Sequence, residues 1–425
     1  MRNWTETTLG EIVEFTNGGA WNQSEYADAG IPVVRVSDIH DETVRLDGCK
    51  FLPPSSLDKY RKHLLREGDV VVATVGSHPT QPGSVVGRVA CVPRTANGSL
   101  LNQNAVRLAP LDTRIDRSYL RYFSTTQTFR NYIIAHARGS ANQVRMAISA
   151  LRKMPIALPT LSTQCRIAGI LGAYDNLTEN NTRRIELLEE MARTIYREWF
   201  VNFRFPGHEK TSVKSGKGQI PEGWQVQKVT DAVDVDPPTT VRKEGVKPFV
   251  SMGSLSHNSM HITDIEERAG NSGSKFRNGD TLFARITPCL ENGKTGFVQF
   301  LPNSAAVGFG STEFIVLRSR TVSPEYVYLM ARSEEFRENA IKSMSGATGR
   351  QRVQEACFDR FFIAHPPSEL LQSFQSVVTP MFRLAYVLSL KNENLRQTRD
   401  LLLPKLVSGE ISLETAEAEV AAQGA

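Results

Sequence analysis

The sequence predicts an α+β chain made of two tandem mixed α/β globules, each followed by a long helix. Three observations carry that expectation. An internal repeat runs through most of the 425 residues, buried-strand patterns recur at matching places in both copies, and two stretches keep apolar residues at alternating spacings of three and four. A hydrophobic fraction of 40% is enough for real cores, and 22% charged residues is ordinary for a globular chain of this length.

The repeat is read from residue identities. Tyr119 and Tyr326, Phe129 and Phe336, Gly139 and Gly346, and Pro159 and Pro366 all stand 207 positions apart. Upstream the separation widens: 211 for Gly68-Asp69 and Gly279-Asp280, 216 for Pro32 and Pro248, 220 for Trp4 and Trp224. The second copy has therefore lost about 13 residues, all before its register locks, as expected where surface loops vary and a packed framework does not.

Within each copy a strand-rich part precedes a helical one. Arg66-Glu-Gly-Asp-Val-Val-Val-Ala-Thr and Arg277-Asn-Gly-Asp-Thr-Leu-Phe-Ala-Arg both read as a turn entering a buried strand. Ala105-Val-Arg-Leu and Phe314-Ile-Val-Leu read as further strands. Pro155-Ile-Ala-Leu-Pro and Phe361-Phe-Ile-Ala-His-Pro read as a last strand stopped by proline. After each proline the period becomes helical. Ile167, Leu171, Tyr174, Thr178, Asn181, Ile185, Leu188, Ala192, Ile195 and Trp199 keep the 3-and-4 spacing, and so do Phe374, Val378, Met381, Ala385, Leu388, Asn392, Leu395, Arg399, Leu402 and Leu406. Such a seam belongs to coiled-coil helices, in which a polar seam residue such as Asn181 or Asn392 fixes register at some cost in stability. About 36 residues make a rod of about 54 Å, longer than one globule needs.

Two globule-plus-rod repeats are most simply related by a pseudo-two-fold axis, with the rods paired as an antiparallel coiled coil. The expected pairing residues are Ile185, Leu188, Ile195 and Trp199 on one helix and Asn392, Leu395, Leu402 and Leu406 on the other. The boundaries expected are 1–159 for the first globule, 160–205 for the central helix, 206–366 for the second globule, 367–409 for the last helix and 410–425 for a tail. Two heads on a fixed ruler suit a double helix, whose readable faces recur about every 34–36 Å.

Composition narrows the function. Fifty Lys+Arg against 45 Asp+Glu leave a formal charge of +5, which permits nucleic-acid binding through local patches without arguing for it. Five scattered cysteines without a CxxC pair speak against a disulfide framework or a zinc knuckle, and suit a reducing compartment. The start, Met1-Arg-Asn-Trp-Thr-Glu, carries no signal-peptide pattern, and no apolar run is long enough to span a bilayer, so a cytoplasmic location is expected.

The short matches to catalytic motifs fail on inspection. Asp236-Pro-Pro-Thr is similar to the D/N-P-P-aromatic motif of amino-methyltransferases, but Thr239 is not aromatic and no glycine-rich cofactor loop precedes it. Gly293-Lys-Thr is similar to the end of a phosphate-binding loop, but the glycine needed five residues earlier is Pro288. His257 and His261 are four apart in a Ser/Asn/Gly-rich segment, not on a helix, with no acidic helper between them. The expectation is no catalytic residue and no metal ligand.

DNA-facing candidates are polar loop residues with arginines and glycines. In the first copy they are Thr74, Ser77, His78, Asn102, Gln103, Asn104, Arg138, Ser140, Asn142, Gln143 and Arg145. In the second they are Arg285, Thr287, Asn292, Lys294, Ser311, Thr312, Thr348, Arg350, Gln351 and Arg352. Asn and Gln can pair with adenine and Arg with guanine in the major groove, while Lys and Arg supply salt-sensitive affinity for phosphate. The glycine-arginine loops 138–145 and 346–352 stand out because they fall at equivalent places in both copies.

Taken in order, several segments resemble the specificity subunits of type I restriction-modification systems. They are Trp4-x-x-x-x-Leu-Gly-Glu-Ile, Gly68-Asp-Val-Val-Val-Ala-Thr, Pro155-Ile-Ala-Leu-Pro-Thr-Leu-Ser-Thr-Gln-Cys-Arg-Ile, Arg197-Glu-Trp-Phe-Val-Asn-Phe, Ile220-Pro-Glu-Gly-Trp and Leu403-Pro-Lys-Leu-Val-Ser-Gly-Glu-Ile. The resemblance implies two target-recognition domains, each reading half of a bipartite asymmetric DNA site, separated by two spacer helices. It also implies two methyltransferase subunits as partners and, in the nuclease form, two restriction subunits. S-adenosylmethionine, ATP and magnesium would then belong to those partners, and this chain would carry no cofactor. The rival expectation is a DNA-binding adaptor of another methyltransferase-linked defence complex, which the neighbouring genes would separate from the first.

Overall fold

Both Gly-Asp turns do enter buried strands in the computed structural model, which describes residues 4–40, 42–77, 86–140, 143–211, 220–347, 349–414 and 416. Val70–Ala73 and Thr281–Ala284 are buried at all four positions. Gly68 and Gly279 have φ of +80° and +88°, a left-handed conformation that glycine adopts without a Cβ penalty. The aspartate that follows turns inward. Asp69 accepts the Arg66 backbone N–H at 2.8 Å and pairs with Arg117, while Asp280 accepts the Arg277 N–H at 2.7 Å and the Arg318 guanidinium at 2.8 and 2.7 Å.

The chain divides into two compact units, and the division crosses both long helices. The first unit comprises 1–177 and 394–425, the second 178–393. Each unit therefore holds one globule with one part of each helix.

In the first unit, Thr5–Thr8 pairs antiparallel with Pro155–Leu158, so the globule's chain ends lie side by side. A six-stranded sheet runs in the order Val13–Asn17, Ala105–Pro110, Val70–Ala73, Val89–Cys91, Glu42–Val44, Ile39–His40. Two three-stranded sheets complete the globule, one of them formed by Ala137–Ser140, Gln143–Met146 and Val75–Gly76. Helices Arg117–Thr125 and Gln127–His136 are capped by Asp116 and Thr126, whose side chains accept the N–H of Tyr119 and Phe129.

The second unit repeats this plan. Gln225–Lys228 pairs with Phe362–His365, and one sheet runs Val233–Val235, Phe314–Ser319, Thr281–Ala284, Thr295–Phe297. The other runs Glu266–Ala269, Val246–Val250, Gly308–Gly310, Ser274–Phe276. Ser323 and Ser333 cap helices Pro324–Arg332 and Glu334–Lys342 at the places of Asp116 and Thr126.

The long helices are Leu161–Tyr196 and Ser368–Val407. In the first unit Ile167, Leu171 and Tyr174 share a core with Leu395, Leu402 and Leu406. Asp175 there accepts from Arg121 at 2.8 Å, Tyr122 Oη at 2.7 Å and Arg399 at 2.7 Å. In the second unit Ile185 and Ala192 share a core with Val378, Ala385 and Leu388, with Leu188, Ile195 and Trp199 packed against it. Trp199 meets Phe374 edge-on at 5.9 Å, and Asn392 Nδ2 donates to the Thr178 carbonyl at 3.2 Å and to Thr182 Oγ1 at 3.1 Å. Partner numbers rise on one helix as they fall on the other, so the two helix parts in each unit run antiparallel. Among the described residues no helix is long and apolar enough to cross a membrane.

Candidate nucleic-acid interface

The glycine-arginine loops of both units hang on the same backbone frame. In the first unit Thr74 N donates to Asn104 O at 2.9 Å and Met146 N donates to Thr74 O at 2.9 Å. In the second, Arg285 N donates to Glu313 O at 3.0 Å and Val353 N donates to Arg285 O at 2.9 Å. Thr74 thus corresponds to Arg285, Asn104 to Glu313 and Arg145 to Arg352. Backbone groups make the frame, so the side chains on it are free to differ.

In the first unit Ala137–Ser140 and Gln143–Met146 form a hairpin whose register sets Arg138 directly opposite Arg145. Both guanidinium groups are exposed, and neither meets a carboxylate among the described residues. Like charges directly opposite on a sheet repel, so this pair favours an anion between or beside it. Gln103 is exposed, Asn104 and Ser77 are partly buried, and Asn102 is buried with its Nδ2 on Gln103 Oε1 at 2.9 Å. Thr74 is also buried, and its hydroxyl donates to Asn104 O at 2.9 Å. The backbone of Ser140 and Gln143 lies in the hairpin. His78 and Asn142 lie outside the described residues, as does Thr348 of the second copy.

In the second unit two of the candidate arginines, Arg352 and Arg285, are paired. Arg352 grips Glu313 side-on, Nε at 3.1 and 2.9 Å from the two carboxylate oxygens and Nη2 at 2.6 Å from one of them. That fork holds the Glu313 carboxyl below the usual carboxylate range. Arg285 pairs with Glu355 at 3.0 Å. Thr287 Oγ1 accepts Gln351 N at 3.1 Å and is buried, Lys294 Nζ donates to Met252 O at 3.0 Å, and Ser311 Oγ accepts Glu313 N at 3.1 Å. Asn292, Thr312 and Arg350 are exposed, and Gln351 is partly buried. Thr74, Asn102, Thr287 and Lys294 therefore hold the frame, while Gln103, Arg138, Arg145, Asn292, Thr312, Arg350 and Arg352 point to solvent. Of the two carboxylates that join Arg352 and Arg285, Glu355 lies outside the candidate stretches, while Glu313 ends the stretch Gly310-Ser-Thr-Glu and directly precedes strand Phe314–Ser319, just as Asn104 precedes Ala105–Pro110.

The rejected motifs have structural roles. Asp236, at φ +46°, accepts Val316 N at 2.7 Å and so clips two chain segments together. His261 is partly buried, its Nε2 has no partner among the described residues, and burial pushes it down to about 4. Among the described residues no group of three or more His, Cys, Asp or Glu is placed to hold a metal ion.

Residues 1–190 match the type I restriction modification DNA specificity domain. The first part of the chain therefore carries a domain of that kind. The MjaIX specificity subunit of Methanocaldococcus jannaschii is 25% identical over 330 residues, covering 74% of this chain and 73% of that protein. The HindI specificity subunit of Haemophilus influenzae is 19% identical, covering 97% of this chain and all of its own length. The crystal structure of an S subunit from M. genitalium shares the fold at a TM-score of 0.55 and 14% identity, covering 95% of this chain and 96% of that one. The globules and long helices of this chain are therefore a fold shared with that solved structure.

Proposed function

We propose that this chain gives a type I restriction-modification complex its DNA sequence specificity, each unit reading one half of a bipartite, asymmetric duplex site. In that division of labour residues 1–159 and 206–366 are target-recognition domains, and 160–205 and 367–409 are spacers that set the distance between half-sites. The tail is 410–425. The spacer helices also position two methyltransferase subunits and, in the nuclease form, two restriction subunits. S-adenosylmethionine, ATP and magnesium act on those partners, in the cytoplasm, and this chain supplies recognition.

The observation that carries the reading is the duplicated frame with different side chains on it. Thr74, Asn104 and Arg145 in one copy stand where Arg285, Glu313 and Arg352 stand in the other. A scaffold that keeps its backbone bonds while changing the side chains set on it, threonine to arginine and asparagine to glutamate, is what two readers of different base sequences require. The groups assigned to DNA are Ser77, Gln103, Asn104, Arg138 and Arg145 in the first unit and Asn292, Thr312, Arg350, Gln351 and Arg352 in the second.

The test uses a host free of adenine methylation that carries the adjacent methyltransferase gene, with and without this chain. Sequencing for modified adenines is expected to give a split motif only when the chain is present. Modification independent of the chain overturns the reading. A soluble complex that modifies nothing favours the adaptor instead.

A further inference from the structure

We propose that Arg352, held side-on by Glu313, reads a guanine in the half-site taken by the second unit, with Glu313 as its positioning residue. This rests on the recognition role proposed above and deepens it to one residue and one base.

A guanidinium has two edges that present paired N–H donors. Glu313 occupies the Nε–Nη2 edge of Arg352. Among the described residues the end-on edge, Nη1 with the second hydrogen of Nη2, is left over, and two parallel donors in that spacing match guanine O6 and N7 in the major groove. The aim of this edge is fixed from both sides. The Arg352 backbone exchanges hydrogen bonds with Ser345 at 2.9 and 3.1 Å, and Glu313 is anchored through its N–H on Ser311 Oγ and its carbonyl on Arg285 N. The Glu313 side chain is only 22% exposed, whereas Arg352 is 50% exposed.

The carboxylate also argues against a phosphate contact. An arginine already neutralised by a bidentate partner releases little counterion when it meets a backbone phosphate, and the nearby negative charge repels that phosphate. What the pair retains is direction. The first unit shows the contrast on the same frame: Asn104 replaces Glu313, and Arg145 stands opposite a second arginine with no carboxylate on either among the described residues.

The experiment takes the full chain in complex with its methyltransferase subunits. The wild-type motif comes first, and its second half-site is expected to contain a G·C pair. Duplexes carrying 7-deazaguanine at each guanine of that half-site are then bound by the unaltered complex. One position is expected to lose affinity, within the range of about 5- to 150-fold for a bidentate base contact. Arg352→Gln should relax the motif at that position alone with the salt dependence unchanged. Arg352→Lys should not restore it, since an ammonium cannot present two parallel donors. Glu313→Gln should relax the same position less.

A second half-site without a G·C pair overturns the assignment. So do deaza duplexes that all bind equally, and an Arg352→Gln that weakens every sequence alike with a shallower salt dependence. The deaza arm uses unaltered protein, so it stands even if a variant fails to fold. Absence of any split motif with the wild-type chain appears before any variant is made, and sinks the recognition role itself.

Discussion

Replacing both hairpin arginines of the first unit, Arg138→Gln with Arg145→Gln, should make the protein more stable and its DNA complex weaker. The two residues are cross-strand partners, exposed, and without a carboxylate among the described residues. Relief of like-charge repulsion on a sheet face contributes about 0.2–1 kcal/mol. For a folding unit of this size that raises the melting temperature by no more than about 4 °C. Binding moves the other way. If each arginine neutralises one phosphate, the slope of log K against log salt becomes shallower by about 1.8, and affinity near 0.1 M salt falls by about 60-fold. The assay is a titration of the complex onto site-bearing duplex at several salt concentrations from 50 to 200 mM, with a thermal melt of the same preparation. An unchanged slope refutes the phosphate assignment. A loss confined to one base pair would instead make these arginines base readers.

Phe374→Ala should destabilise the second unit by about 3–5 kcal/mol in a denaturant titration, because this fully buried ring meets Trp199, Phe200 and Tyr326. A cost below about 1 kcal/mol would mean that the helix is not anchored there. Asn392→Leu should stabilise by about 1 kcal/mol in the same titration. Its Oδ1 is buried without a partner among the described residues, and Thr182 Oγ1, which its Nδ2 bonds, keeps a bond of its own to Thr178 O at 2.8 Å. Lower stability would show that the amide does more than fix register. His261 has a folded-state pKa near 4, below its unfolded value of about 6.5, so the unfolded chain binds the extra proton between them. Its contribution is present above pH 6.5 and lost as pH falls toward 4. His261→Gln should flatten the stability-versus-pH curve by up to about 3 kcal/mol across that window, and parallel curves for the two proteins would contradict the assignment.

The framework was legible in the sequence because its signals are local and doubled. Glycine followed by aspartate marks a turn wherever it stands, and two copies 211 apart mark the same turn twice. The 3-and-4 spacing gave both long helices, and a polar residue on that seam could be named in advance because Asn392 interrupts an apolar series. The reading face was less legible, since a polar side chain does not announce where it bonds. Thr74, Thr287 and Lys294 have the composition of DNA contacts, yet each bonds the protein itself. Their partners are set by tertiary folding, 30 to 64 positions away. Glu313 is the opposite case: it lies in a candidate stretch, but its role as the partner of Arg352 emerges only when the two side chains are seen together.

The same division explains how one scaffold can serve two recognition tasks. The bonds that hold the loop in place, Thr74 N to Asn104 O and Arg285 N to Glu313 O, do not depend on side-chain identity, so exchanging threonine for arginine leaves them intact. The costly elements lie behind the loop and are the same in both copies. A buried aspartate receives an arginine beside each Gly-Asp turn, and a side-chain oxygen caps each of the two following helices. Removing one partner of such a buried pair costs about 3–5 kcal/mol, whereas changes at exposed positions usually stay within about 0.5 kcal/mol. The side chains at Asn104 and Glu313 can therefore vary under little folding constraint, whereas a change at the buried Asp69 or Asp280 costs the unit stability. Arg352 and Glu313 both lie on that variable face, with the arginine half exposed, so the pair can change with little cost to the core behind it.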